Sequence, residues 1–363
     1  MASTPPRKAS VPQASSRFGV DLKRLFGGKA GYGAEVARQR NAEQAHRDAA
    51  ENLLLPDHIR GEAGFERVLH TTLGGVLRPI TTDDLRQFEH TIRARKTALA
   101  AGITAKMVLD HSLPEDIQRA NEQIHVAALM AANRGALHFI TNSGPDSDVA
   151  RHHVHVEFAN FQAWAASPAE PGKIATAMLK DRLRFDCDCG RFNFWLRYMA
   201  TMGNYCAGRQ EQAFPKIRNP SLVGLACKHA LRVMTALQKD PTVKARVAKM
   251  LEAVRGTAVK PVKASAQEAR EHAQQQLEAR RKGNVAAKVE SSAMVQARKD
   301  AAKQTPAGQR RALAQAAKLA EKQAAAKARD VQLADVASKM KGLLGTLSKA
   351  DAKRLLEMMA GKG

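Results

Sequence analysis

Four cysteines and one histidine carry the clearest chemical signal in this chain. Cys187 and Cys189 stand one residue apart in Leu183-Arg-Phe-Asp-Cys-Asp-Cys-Gly190, and Cys227 and His229 one residue apart in Gly224-Leu-Ala-Cys-Lys-His-Ala-Leu231. Thiolate sulfur and imidazole nitrogen are the donors that tetrahedral Zn²⁺ takes. Residues i and i+2 of a strand share a face, so both thiolates of the first pair can reach one ion. The second pair needs a helix start to bring it round. Three sulfurs and one nitrogen would close the coordination sphere and leave no position for water, the form of a structural rather than a catalytic zinc. Two readings compete with this one. Free cysteine is among the most buried residue types, so these thiols could simply be core. The fourth cysteine, Cys206, could also replace His229 as a ligand.

The elements that must position these residues are legible in the surrounding periodicity. Ala34–Leu55 reads as a helix stopped by Pro56, Thr82–Ala100 as a second helix capped by Thr81 or Thr82, and Pro114–Gln123 as a third. Ala136–Thr141 and His153–Phe158 read as strands of a hairpin across the turn-rich Asn142–Asp148. Lys173–Lys180 reads as a short helix, and Leu183, Phe185, Cys187 and Cys189 alternate along another strand. Leu231, Met234 and Leu237 share a helical face after Cys227, and Val247, Leu251 and Val254 continue helically. Ten of the sixteen aromatic residues fall between Phe158 and Phe214, which puts the core in the middle third.

The expected fold is α+β: a small antiparallel sheet with a zinc-stapled ββα module, a helical N-terminal region and a long basic helical tail. The segments are a disordered basic arm over 1–33, a helical region over 34–125, an α+β domain over 126–255 with the zinc module at 183–237, an Ala/Lys/Arg-rich helical tail over 256–330, and a small helical hairpin over 331–363. Within the arm, Phe18, Val20, Leu22, Leu25 and Phe26 form a short apolar docking segment.

The formal net charge is +23, and from residue 256 onward 22 Lys/Arg face 10 Asp/Glu with no Phe, Trp or Tyr. Such a charge favours an anionic partner, nucleic acid first, held electrostatically and with little sequence preference. In the central block Arg184, Arg191, Arg197, Lys216 and Arg218 lie among aromatic residues and are the candidate contacts there, although packing of the zinc module accounts better for the aromatics. No apolar run is long enough to span a membrane, and the N-terminus lacks the apolar region of a secretory signal. The cysteine usage fits a reducing compartment. Homo-oligomerisation is left open.

The Cys-x-Cys and Cys-x-His ends, Phe185-Asp-Cys-Asp-Cys-Gly-Arg-Phe192 and Ala226-Cys-Lys-His229, resemble the SWIM-type zinc finger. That resemblance implies that Cys187, Cys189, Cys227 and His229 ligate zinc from a strand hairpin and a helix start. The 37 residues between Cys189 and Cys227 exceed the family's usual spacer, so an insertion such as Trp195–Pro220 would have to be looped out. The order of the Val154–Phe158 strand, Cys-x-Cys, Asn219-Pro220 and Cys-Lys-His also resembles structural proteins of tailed-bacteriophage virions. It implies a partner among virion proteins or packaged DNA, and a place in the virion or the host cytoplasm.

Other chemistry is less supported. His153-x-His155-x-Glu157 puts three metal-capable groups on one strand face, which would suit a metalloenzyme, but a hairpin's solvent face accounts for it more simply. No phosphate-binding glycine loop, dinucleotide fingerprint or nucleophile elbow is present. The expectation is a non-enzymatic, zinc-stabilised structural or binding protein. A regulatory DNA-binding zinc finger and the histidine metalloenzyme are the alternatives.

Overall fold

The computed structural model describes residues 18–27, 32–48, 70–145, 147–256 and 260–305, with isolated positions from 307 to 329. The first seventeen residues of the arm and the 331–363 hairpin lie outside the described residues. The chain forms two compact units, Met1–Ala293 and Met294–Gly363.

The first unit is built on a six-stranded antiparallel sheet: β3 (Ile103–Thr104), β4 (Ala127–Asn133), β5 (Ala136–Asn142), β6 (Arg151–Phe158), β7 (Arg182–Cys187) and β8 (Val262–Lys263), in the order β3-β7-β6-β5-β4-β8. A separate two-stranded ribbon pairs β1 (His70–Thr71) with β2 (Arg78–Pro79). The expected hairpin is β5–β6, with Leu137 opposite Val156 and Phe139 opposite Val154. Its end is fixed by Asn142, whose Oδ1 accepts the His125 and Val126 N–H groups while its Nδ2 donates to the Gln123 and Ser143 carbonyls. All four polar positions of that buried amide are occupied.

Helix signals read from the sequence hold closely. Thr81 caps the helix Thr82–Leu99 in a reciprocal box with Asp84, and Pro114 opens the helix Pro114–Gln123. One face of the sheet is covered by the helix Lys228–Lys239, which is buried along nine consecutive residues from His229 to Leu237 and packs among the helices Ala105–Asp110, Pro114–Gln123 and Pro241–Arg255. Leu129, Leu137, Phe139, Val154, Val156 and Phe185 meet Leu231 and Met234 in that core.

The opposite face has an apolar half and a polar half. Val126, Ala128, Met130 and Ile140 pack against Leu25 and Phe26 of the short helix Leu22–Phe26 and against Ala269, Ala273 and Leu277 of the helix Ala266–Arg281. The docking segment inside the arm is therefore ordered and buried. Arg151 fastens it by donating to the Leu25 and Gly27 carbonyls and to Glu35. The helix Ala266–Arg281 and β8, placed in the tail by sequence, pack with the sheet; the first unit runs on to Ala293.

Over the polar half lies the helix Tyr32–Asp48. It corrects the reading of His153, His155 and Glu157 as a solvent face. His153 is buried, His155 is half-buried and stacks on His138 across the strands with ring centroids 4.6 Å apart, and only Glu157 is exposed. Glu35 and Arg40 of the helix reach Arg151 and Asp186 beneath. A polar strand face is buried here because a polar helix covers it.

Asp240 joins the two main helices of the apolar face to the helix Ala266–Arg281. Its Oδ1 accepts the Thr242 N–H at 2.9 Å, capping Pro241–Arg255, and its Oδ2 meets His272 Nε2 and Gln276 Nε2, each at 2.8 Å. Burial pushes the carboxyl up, but these partners outweigh it and hold it below the ordinary carboxylate range. A depressed folded-state value stabilises the fold above the unfolded value of about 3.9, and the contribution is lost as pH falls through the folded value. Asp240→Asn, which keeps a capping oxygen, is expected to unfold at lower urea than the parent at pH 7, with the gap closing below about pH 4. An equal gap at pH 7 and pH 3 would contradict this role for the charge.

Candidate metal centre

β7 ends at Cys187 with Leu183, Phe185 and Cys187 buried on its inner face. Cys189 lies just beyond the strand, so only the first thiol is placed by strand geometry. The second is placed by a turn in which the Phe192 N–H points at Cys189 Sγ, 3.4 Å away. Between them Asp188 turns to the other side. Its Oδ2 accepts the His153 N–H at 3.0 Å and its Oδ1 meets His152 Nδ1 at 2.8 Å, which locks the Cys-Asp-Cys step against β6.

The other pair comes from a helix start, as expected. Cys227 is the N-cap of Lys228–Lys239 and its Sγ accepts the Ala230 N–H at 3.5 Å; His229 sits in the first turn. Ligand atoms of Cys187, Cys189, Cys227 and His229 all lie within 4.8 Å of one another and all four residues are buried. It is the only such group among the described residues. Ligands about 2.0–2.3 Å from a tetrahedral ion stand roughly 3.5–3.8 Å apart, so the set closes on zinc with small side-chain adjustments.

Two further observations fit a metal. Neither ring nitrogen of His229 has a hydrogen-bond partner although both are buried, a costly arrangement that coordination would relieve. Burial, with the charge of His152 behind it, brings His229 down to about 4, so the imidazole is neutral and able to ligate. The His152 ring, oriented by Asp188, lies 4.2 Å from it between centroids. Burial pushes both Cys187 and Cys227 up. At Cys227 the thiols of Cys187 and Cys189 and the N–H groups of Ala230 and His229 reverse that push and hold it well below its ordinary value. A thiolate at a helix N-terminus is the expected result.

Cys206 stands outside the group. Its thiol lies against Arg197 and the Arg209 carbonyl, at 3.7 and 3.4 Å. The segment that carries it is not looped out, which corrects the expectation for Trp195–Pro220. Phe185 donates its N–H to the Tyr205 carbonyl and Ala207 donates to the Phe185 carbonyl, so the segment pairs with β7. Phe192, Leu196, Met199, Tyr205, Phe214 and Leu222 are buried. Asn219 closes it by bonding to Trp195 and Val223. The long spacer is core.

The five basic candidates separate by burial. Arg184 and Arg218 are exposed and Arg191 is half-buried, with Arg218 4.6 Å and Arg191 5.1 Å above the Trp195 ring. Arg197 and Lys216 are buried, and Arg197 is paired with Asp186 at 2.5 Å. The second pair therefore turns its charge inward. Spacing alone could not separate the two groups.

No helix among the described residues is long and apolar enough to cross a membrane. The buried Cys₃His group is a site that could hold a structural zinc. No protein-family model, curated protein or solved structure matches the chain.

Proposed function

We propose that this is a non-enzymatic binding protein whose central fold is stapled by one zinc ion and whose basic surface associates with nucleic acid, as a component of a bacteriophage virion. The observation that carries the zinc reading is the closed, buried Cys187, Cys189, Cys227 and His229 set, which has no open coordination position for a substrate. The nucleic-acid part is supported by the net charge of +23 and by the basic, aromatic-free C-terminal third. The virion setting and the SWIM-type assignment are supported by the resemblances of the motifs.

The test combines two measurements on the purified full chain. Elemental analysis is expected to give one zinc per chain. Duplex DNA binding is expected to be indifferent to sequence and to weaken steeply with salt, because phosphates release counterions when neutralised. A strong preference for one DNA sequence would favour the regulatory zinc-finger reading, and recovery of the chain from purified particles would support the virion setting.

A further inference from the structure

A second buried group of polar side chains lies away from the metal centre, where the helices Lys228–Lys239 and Ala266–Arg281 meet the end of Pro114–Gln123. It lines a cavity of about 250 Å³ that opens past the exposed Gln275, Asn284 and Ala286. Two guanidinium groups dominate it. Arg232, 5 % exposed, donates to the carbonyls of Ile124, Ala287 and Ala120 at 2.8, 2.6 and 2.9 Å. Arg280 donates to the same Ala287 carbonyl at 3.1 Å and to that of Asn121.

Two like charges thus share one acceptor, the Arg232 guanidinium buried and that of Arg280 half-buried. Among the described residues neither is paired with a carboxylate, which is uncommon because a buried charge is expensive unless matched. The carbonyls of Ala120, Asn121 and Ile124 belong to a helix C-terminus, which supplies roughly half an elementary negative charge. Beyond that, Arg280 faces the Phe18 ring at 5.7 Å from its centroid, so most of two positive charges has no anionic partner. The one carboxylate in the lining, Asp240, is engaged by His272 and Gln276.

Donors also remain unused. Of five N–H groups on each guanidinium, Arg232 spends three and Arg280 two. Arg280 Nε is buried with no hydrogen-bond partner, so its N–H is one of the unused donors. The field is felt by the neighbours: burial and then the charges of Arg280 and Arg232 take His125 down to about 3.

We propose that this cavity binds a single phosphate group, either free or as a phosphomonoester, between Arg232 and Arg280. A phosphate dianion offers the oxygens that two guanidinium forks require and supplies the missing negative charge. The volume accommodates a phosphate but falls below the roughly 300–1,000 Å³ typical of pockets that enclose larger ligands.

The experiment is equilibrium dialysis of labelled inorganic phosphate against the full-length, zinc-loaded chain at near-physiological salt. One saturable site per chain is expected, weakened at least about tenfold by Arg280→Gln and unchanged by Arg86→Gln, an exposed arginine of the helix Thr82–Leu99 outside the cavity. Displacement by glycerol 3-phosphate assigns the site to phosphomonoesters; retention of inorganic phosphate against it assigns the site to the free ion. A second readout needs no variant: the thermal midpoint of the parent should rise with phosphate and not with chloride at equal ionic strength. The proposal is overturned if no saturable binding is found, or if Arg280→Gln binds phosphate as the parent does, in which case the guanidinium groups only cap the helix.

Discussion

Cys187→Ser is expected to abolish stoichiometric zinc and to lower the thermal midpoint of the protein by about 6–7 °C. The size follows from what holds the region. Cys187 ends β7 and Cys227 begins the helix Lys228–Lys239, so the ion would join the sheet to the helix that covers it. Zinc-finger peptides hold the ion with roughly 10–16 kcal/mol at pH 7, all of it linked to folding. Here a large core also contributes, so the loss on removing one thiolate is roughly 4 kcal/mol, equivalent to about 6–7 °C for a unit of this size at about 2.1 cal/mol/K of unfolding entropy per residue. Two controls make the result specific. Cys206→Ser should keep one zinc per chain, because that thiol lies outside the group. His155→Ala should keep it too, since His155 belongs to the stacked histidines under the helix Tyr32–Asp48. Zinc retained in Cys187→Ser, or lost only in His155→Ala, would end the structural-zinc assignment.

The four residues that gather in space could be read from the sequence because thiolate and imidazole chemistry is carried by few residue types, and all the cysteines fall in one stretch. Hairpin and helix boundaries were legible for a related reason: capping residues, prolines and alternating Val or Phe act locally. β4 was not legible. Its Ala127-Ala-Leu-Met-Ala-Ala-Asn133 has the composition of a helix, and it is a strand because β5 and β8 pair with it on either side. Ala269, Ala273 and Leu277 likewise form a thin helical stripe that says little alone; only the flat face of β4 makes small residues the right fit. The spacer between the cysteine pairs misled through its length, since nothing local shows that Tyr205 and Ala207 add to β7. Long-range pairing decided each of these cases.

The same limit applies to Asp186, which sequence reading gave no role and which is expected to carry the second-largest effect. Its carboxylate is 2 % exposed and meets Arg197 at 2.5 Å and Arg40 at 3.0 Å. A side chain at Gly208 would collide with it, so the backbone there approaches closely. Arg197, itself 4 % exposed, also holds the Asn193 side chain at 2.7 Å and the Cys187 carbonyl at 3.4 Å. Asp186→Ala leaves a buried guanidinium with neutral partners only, and breaking one side of such a pair costs about 3–5 kcal/mol. Removing both charges in Asp186→Ala/Arg197→Met should recover a large part of that loss, because an apolar pair of similar volume carries no unmatched charge. Urea unfolding of the two single variants and the double variant measures the coupling. A single Asp186→Ala cost below about 1 kcal/mol would mean the pair is solvated and the polar layer is not what holds Cys187 in place. If the cost is large, zinc should also be lost to a competing chelator faster in Asp186→Ala than in the parent, since Arg197 anchors the carbonyl of the first ligand. The metal centre would then rest on the polar layer behind it as well as on its four donors.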